Sequence, residues 1–284
     1  MKKIGFVDYY LGEWHANSYP AWIKDASEKI GEEFVVKYAW AEKYISPWDG
    51  VNTDEWCEKF GAEKCETIEE LCEKSDYILV LAPSHPEKHL GYAEKVLSYK
   101  KNTYIDKTFA PDLATAEKIF AIAEKYGTKF FSSSALRYGE ELANVTSGKA
   151  MFTHGGGRIL LEYIIHQIEM VVKVLKEKAV RVRVEKQGCS QYIMTVQFEN
   201  EKQATMLYSQ GYTFGVCVED EDGKTQYITE QSNMFPHLTE DILRFYLSGE
   251  VSFDTKETLE AIKIRDGVIK GMENLGVWID LNKN

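Results

Sequence analysis

Two groups of residues in this sequence have types and spacings suited to chemistry. The first is Lys107, which follows the apolar pair Tyr104-Ile105 and precedes Thr108, so it emerges at a strand end and not midway along a helix. A lysine there is commonly a solvated cation. The alternative is an ammonium pointing into a crevice, able to anchor an anion or, when partly desolvated, to donate a proton. The second group is Glu162, His166, Glu169 and Lys173, spaced i, i+4, i+7 and i+11, which puts all four along one helical face. That spacing alone fits a solvent-facing polar stripe opposite the apolar positions. Gly155-Gly156-Gly157 just before it argues the other way, because glycines let another backbone or a ligand come close. A histidine held by a carboxylate is also a workable general base near neutral pH.

The elements that must position these groups follow from hydrophobic periodicity. Up to about residue 135, short apolar runs at 4–7, 34–40, 77–82, 103–105 and 129–132 alternate with amphipathic segments at 19–30, 54–60, 67–74, 85–98 and 113–126. Thr67 and Glu70 are spaced as a capping box, and Gly127 stops the last of these helices. Repeated strand, helix, strand units predict an α/β fold with a Rossmann-like, doubly wound parallel sheet. Ligands bind such sheets at the carboxyl edge, which here brings together Asp8 to Tyr10, residues 40–42, Pro83 to His85, Asp106-Lys107 and Ser132 to Arg137. Beyond Arg137 the rhythm changes. A helix is predicted over 158–176, followed by strands at 180–186, 192–198, 204–208, 214–218 and 226–228, with Asp222-Gly223 as a hairpin turn. Two closing helices, 238–247 and 256–274, and a strand at 277–280 complete the reading. Two domains are expected, 1–136 and 137–284, the second an α+β domain with an open antiparallel sheet whose closing helices can pack back on the first.

Composition narrows the function classes. A chain of 284 residues with 44% apolar content can bury a large core. A net charge of −11, without a basic run, excludes nucleic acid and anionic membrane as expected partners. Only a few apolar residues lie between the N-terminal lysines and Asp8, too few for a signal peptide, and no apolar run approaches about 18 residues. A cytoplasmic protein is the expectation. The five cysteines form no CxxC pair, which predicts reduced thiols and no metal centre.

Asp76-Tyr-Ile-Leu-Val-Leu-Ala-Pro-Ser-His-Pro-Glu-Lys-His89, Thr103-Tyr-Ile-Asp-Lys-Thr108 and Phe130-Phe-Ser-Ser-Ser-Ala-Leu-Arg137 resemble, in order and spacing, motifs of the Gfo/Idh/MocA family of glucose-fructose oxidoreductase and inositol dehydrogenase. So does Gly156-Gly157 followed by Glu162, His166 and Glu169, as do the closing stretches Leu238 to Tyr246 and Glu257 to Glu260. The resemblance implies NAD or NADP lying across the first domain's carboxyl edge, with Asp8, Tyr9, Tyr10, Glu42, Pro83, Ser84, His89, Asp106, Lys107 and Arg137 as candidate cofactor contacts. It implies hydride transfer between nicotinamide and a small sugar, polyol or related hydroxy compound. Lys107 would polarise the reacting oxygen, and His166, oriented by Glu162 or Glu169, would take the hydroxyl proton. It also implies a homo-oligomer formed through the second-domain sheet.

The departures from the family pattern are specific. Glycines normally let a pyrophosphate approach the first helix, but here Asp8 takes the first glycine position, Tyr10 falls near the second, and the turn up to His15 is about one residue shorter. A carboxylate at that position repels a diphosphate. Tyr9, Tyr10 and Trp14 either pack or wall a ligand. Glu42 falls where an acid would accept a ribose 2′-hydroxyl, favouring NAD over NADP. Asp106-Lys107-Thr108 replaces Glu-Lys-Pro. The short segment between Arg137 and Gly155 implies a missing substrate-domain strand and an altered pocket. Two alternatives stay open: a relative that has lost dinucleotide binding and serves as a ligand-binding or partner protein, and a lyase, epimerase or glycosidase using the nicotinamide transiently.

Overall fold

The computed structural model describes residues 1–282, so the last two residues of the second predicted domain lie outside the described residues. Among the described residues two compact units are present, 1–133 with 235–255 and 134–234 with 256–282.

The first unit is built on β1 (Lys2–Asp8), α1 (Trp14–Ile30), β2 (Phe34–Ala41), α2 (Thr53–Phe60), β3 (Glu63–Lys64), α3 (Ile68–Lys74), β4 (Tyr77–Val80), α4 (His89–Val96), β5 (Thr103–Ile105), α5 (Leu113–Tyr126) and β6 (Phe130–Phe131). Its six strands run in the order β3-β2-β1-β4-β5-β6, and every pair is parallel. Ile4, Phe6, Val7 and Ile78 to Val80 are fully buried, as expected of central strands covered on both faces. Strand order reverses at β1 and β4, which puts the crevice beyond Asp8 and Leu81.

Local signals set most helix ends and miss two details. Helix α1 starts at Trp14, five residues before the predicted start, and carries Pro20 in its interior. At the Thr67 box, Thr67 Oγ1 accepts the Glu70 N–H at 3.1 Å, but the Glu70 carboxylate accepts from Glu66 N at 2.8 Å, so only half of the box forms.

The second unit contains β7 (Ala150–Gly155), α6 (Leu160–Leu175), β8 (Ala179–Gln187), β9 (Gln191–Phe198), β10 (Gln203–Tyr208), β11 (Gly215–Glu219) and β12 (Thr225–Ile228). Next comes α7 (Met234–Ser248), nearly all of which belongs to the first unit, then α8 (Lys256–Glu273) and β13 (Trp278–Asp280) in the second. Within the first unit, Tyr246 of α7 stacks on Tyr77 at 4.8 Å and donates its hydroxyl to the Ile78 carbonyl at 2.8 Å.

The seven-stranded sheet runs β12-β11-β7-β10-β9-β8-β13. It is mixed and not purely antiparallel, because β7 pairs parallel with β10. The missing strand of the sequence reading is therefore present as β7, whose polar Thr153-His154 and terminal Gly155 hid it. Helix α6 covers this sheet. Gln167 is fully buried and fastens the helix, accepting from Thr153 Oγ1 at 2.6 Å and donating to the carbonyls of Gly155 at 3.2 Å and Leu207 at 3.1 Å. Helix α8 approaches β8 closely enough that a Cβ on Gly271 would lie 2.6 Å from Val184 Cγ2. Among the described residues, no helix is long and apolar enough to cross a membrane.

Candidate functional site

In the first unit, five ionisable groups converge at the carboxyl edge. Asp8 ends β1 and is buried; its Oδ1 accepts the N–H of Tyr9 at 2.6 Å and of Ala82 at 3.0 Å. Its Oδ2 is buried with no hydrogen-bond partner among the described residues. Burial, then the nearby Glu13 carboxylate, raise the Asp8 carboxyl well above its ordinary range against those two N–H groups. Glu13 caps α1, accepting the backbone N–H of Ala16 and, at 2.8 Å, that of His15. Its own carboxyl is raised by burial, an effect that His15 opposes. His15 Nδ1 is hydrogen-bonded to Asp106 Oδ2, and Asp106 Oδ1 accepts the Lys107 N–H at 2.8 Å. Burial alone would raise the Asp106 carboxyl, but His15 and then Lys107 hold it below its ordinary range. Lys107 is 9% exposed, its Nζ lies 3.4 Å from the Pro83 carbonyl, and the Lys107-Thr108 peptide is cis.

Next to this cluster, Glu42 follows β2 and is bonded to Lys88 Nζ at 2.5 Å and Tyr92 Oη at 2.7 Å. Burial raises its carboxyl, and Lys88 and Tyr92 overcome that and lower it, so it is an anion. It borders a cavity of about 320 Å³ lined by Trp40, Lys88, Gly91 and Tyr92 among others. Tyr9 packs against His85 at 4.5 Å, with Lys43 and Lys88 within 4.7 and 4.6 Å of its ring centre. Tyr10 joins this group, 5.6 Å from Tyr9. Trp14 belongs to a different ring cluster, with Trp22 and Phe235 at 5.3 and 5.1 Å. Ser84 is exposed on the loop that carries Pro83.

The second unit places His166 of α6 against Ser134, whose Oγ lies 2.6 Å from Nδ1 and also accepts the Leu136 N–H at 3.2 Å. Glu162 bonds Arg158 at 3.1 Å. Glu169 is buried and accepts from Arg137 Nε at 3.0 Å, while Glu257 of α8 accepts from Arg137 Nη2 at 2.5 Å. Burial disfavours the Arg137 charge, and Glu169 and Glu257 more than offset this. Lys173 donates to the Arg137 carbonyl at 2.6 Å; burial, then Arg137 and Lys176, lower its pKa to about 8. Glu169 and Lys173 of the α6 polar stripe thus belong to an internal ion network around Arg137, while Glu162 pairs with the exposed Arg158.

Four of the expected cofactor contacts have partners within the protein or lie in its interior. His89 is fully buried, with both ring nitrogens on the carbonyls of Phe109 and Leu81, and burial lowers its pKa. Its ring ties α4 to the sheet and has no nitrogen left for a ligand. Asp106 is held by His15, Asp8 lies inside the sheet edge, and Arg137 is bound by two carboxylates. All three are interior groups. Ser134 is a partner of His166 Nδ1, and Glu169 is engaged by Arg137. The sequence reading also missed Glu13 and His15. Glutamate is not a favoured N-cap, so Glu13 gave no local signal.

The first unit's parallel sheet, doubled back at β1 and β4, together with a mixed-sheet α+β unit, defines the Rossmann-type two-unit α/β class. Residues 48–134 match the Gfo/Idh/MocA model, described as an oxidoreductase family with an NAD-binding Rossmann fold. Over that segment the chain resembles the Gfo/Idh/MocA oxidoreductase family. An uncharacterized oxidoreductase of Escherichia coli, YhhX, is 35% identical over 60 residues, a match that spans 21% of this chain and 17% of that relative. Among solved structures, scyllo-inositol dehydrogenase from Lactobacillus casei with bound NAD(H) and scyllo-inositol superposes with a TM-score of 0.73 at 14% identity, covering 99% of each chain. GenD2 from gentamicin A biosynthesis, in complex with NAD, gives 0.75 at 12% identity over 100% of this chain and 97% of that one. At such identities the likeness is one of fold.

The residues present fit a dinucleotide at the adenosine end, where an ionised Glu42 borders a cavity. At the N-terminus of α1, the N–H donors that suit a diphosphate already hold an anion of the chain itself, Glu13.

Proposed function

We propose that the protein is a nicotinamide-dependent oxidoreductase acting on a small sugar, polyol or related hydroxy compound. The observation that carries this reading is Lys107, a largely buried ammonium at the carboxyl end of β5, inside the segment that matches the NAD-binding oxidoreductase family. Bound nicotinamide supplies a hydride acceptor for a carbinol carbon. Glu42 holds the ribose hydroxyls and disfavours a 2′-phosphate, so NAD(H) is the expected form. Tyr9, Tyr10, Pro83 and Ser84 border the cofactor. Lys107 donates a hydrogen bond to the substrate oxygen as it loses its proton. In the second unit, His166 is suited to accept a proton: with Nδ1–H donating to Ser134 Oγ, the lone pair sits on Nε2. Glu162 lies one helical turn before His166 and pairs with Arg158. The dehydrogenase neighbours with inositol-type names support the substrate class.

The same reading includes self-association through the second-unit sheet. Phe152, Cys217 and Tyr227 lie across neighbouring strands in register, and Phe152 and Tyr227 are 42% and 62% exposed. Light scattering that returns only the monomer mass removes this part.

The test is oxidation of a panel of inositols, sugars and sugar acids with NAD, monitored as NADH absorbance. Lys107→Met and His166→Ala are each expected to lower kcat by about 100-fold or more. Parent-like turnover in either variant refutes that residue's role. The Glu13 cap favours a second reading, a ligand-binding protein without dinucleotide chemistry, which full turnover by the parent chain eliminates.

A further inference from the structure

We propose that Glu13 is a built-in competitor for the diphosphate of the cofactor, so that a dinucleotide binds only by displacing this carboxylate from the first turn of α1. The inference rests on the oxidoreductase reading and adds to it a residue that sets cofactor affinity.

A helix N-terminus presents unsatisfied N–H groups and a partial positive charge, and it therefore attracts an anion. In this chain that attraction is met internally. Glu13 is 9% exposed, and its two carboxylate oxygens take the N–H groups of His15 and Ala16. An ordinary serine or aspartate cap reaches back over a shorter side chain; the glutamate covers the end of the helix with a full carboxylate. Surrounding charge also disfavours a second anion: Asp106 acts electrostatically on Glu13, and Glu13 on Asp8, with His15 as the compensating group. Asp8 Oδ2 is a second, independent mark of the same place, a buried polar atom at the end of β1 with no partner among the described residues.

The turn is also braced from outside. Ser46 donates its hydroxyl to the Gly12 carbonyl at 2.7 Å, and the backbone N–H groups of Trp48 and Asp49 donate to Ser46 Oγ at 3.1 and 3.4 Å. A Cβ on Gly12 would lie 2.1 Å from Asp49 Oδ1. The one glycine of the turn therefore accommodates this loop and not a phosphate. A braced backbone leaves the Glu13 side chain as the part of the turn able to move.

The proposal is tested by titrating the purified full chain and its Glu13→Gln and Glu13→Ser variants with NADH, ADP and adenosine, following tryptophan fluorescence and calorimetric heat. Serine keeps a neutral helix cap, so that variant preserves the fold where glutamine does not; circular dichroism melts identify which variants are native. The expected result is tightening of NADH and ADP by tenfold or more in the native variants, with adenosine, which has no phosphate, unchanged. An NADH dissociation constant within twofold of the parent in both variants overturns the proposal while leaving the oxidoreductase reading intact. Absence of NADH binding at millimolar concentration in parent and variants alike overturns both.

Discussion

Replacing Arg137 by methionine removes the cation that two carboxylates share inside the second unit. Arg137 and Glu169 side chains are each 5% exposed, with 3.0 Å between Nε and Oε2, and Glu257 sits 2.5 Å from Nη2. At an effective dielectric of about 20, unit charges about 3 Å apart attract by roughly 5–6 kcal/mol per pair, most of which offsets the desolvation of the three groups. Methionine leaves both carboxylates facing a thioether, and breaking a buried pair in this way costs about 3–5 kcal/mol. For a chain of this size that is a fall in Tm of about 6–15 °C. The pair Arg137→Met with Glu169→Met returns part of the loss, because one stranded charge is removed, and a double-mutant cycle is expected to show coupling above about 1 kcal/mol. Lys173 supplies a second readout. Arg137 is among the causes that hold its pKa down to about 8, so the variant shifts the ε-ammonium titration of Lys173 upward, measurable by carbon-13 NMR of the dimethylated lysine. A loss below 1 kcal/mol in calorimetry, with Lys173 unmoved, refutes the ion network as a stabilising element.

Other outcomes follow from the same physics. Because burial raises the Asp8 carboxyl in the folded state, its contribution is fully present below the unfolded value near about 4 and is lost as pH rises through the folded value. Asp8→Asn should therefore flatten the pH profile and stabilise the protein by on the order of 1 kcal/mol at pH 8, seen in urea melts; a variant less stable than the parent at pH 8 contradicts this. Ser134→Ala should lower kcat with little change in KM and move the alkaline or acid limb of the rate profile through His166, since it removes the Nδ1 partner. An unchanged profile would leave Ser134 a mere helix cap. Thiol labelling with a chromogenic disulfide should modify Cys189 first and Cys217 more slowly, with Cys57, Cys65 and Cys72 protected until unfolding, because burial raises those three thiols to about 11, 12 and 12.

Much of the first unit was legible because a central parallel strand, covered on both faces, must be apolar along its length, as Ile4 to Val7 and Ile78 to Val80 are. The same logic located Lys107 at a strand end. Strand β7 escaped because it alternates buried and exposed residues over only six positions and ends in glycine. The start of α1 escaped because its cap is a glutamate and its proline is internal.

What the sequence determined by itself was the succession of elements and which residues stand at their ends, since periodicity is a property of neighbours along the chain. Only the tertiary structure decided which of those residues have chemistry left to do. His166 meets Ser134 across 32 residues and His15 meets Asp106 across 91, while His89 and Arg137, equally plausible in sequence, are consumed by interior partners. The physical reason is that a side chain's reactivity depends on the charges and dipoles packed around it, and these are brought by the fold from distant parts of the chain.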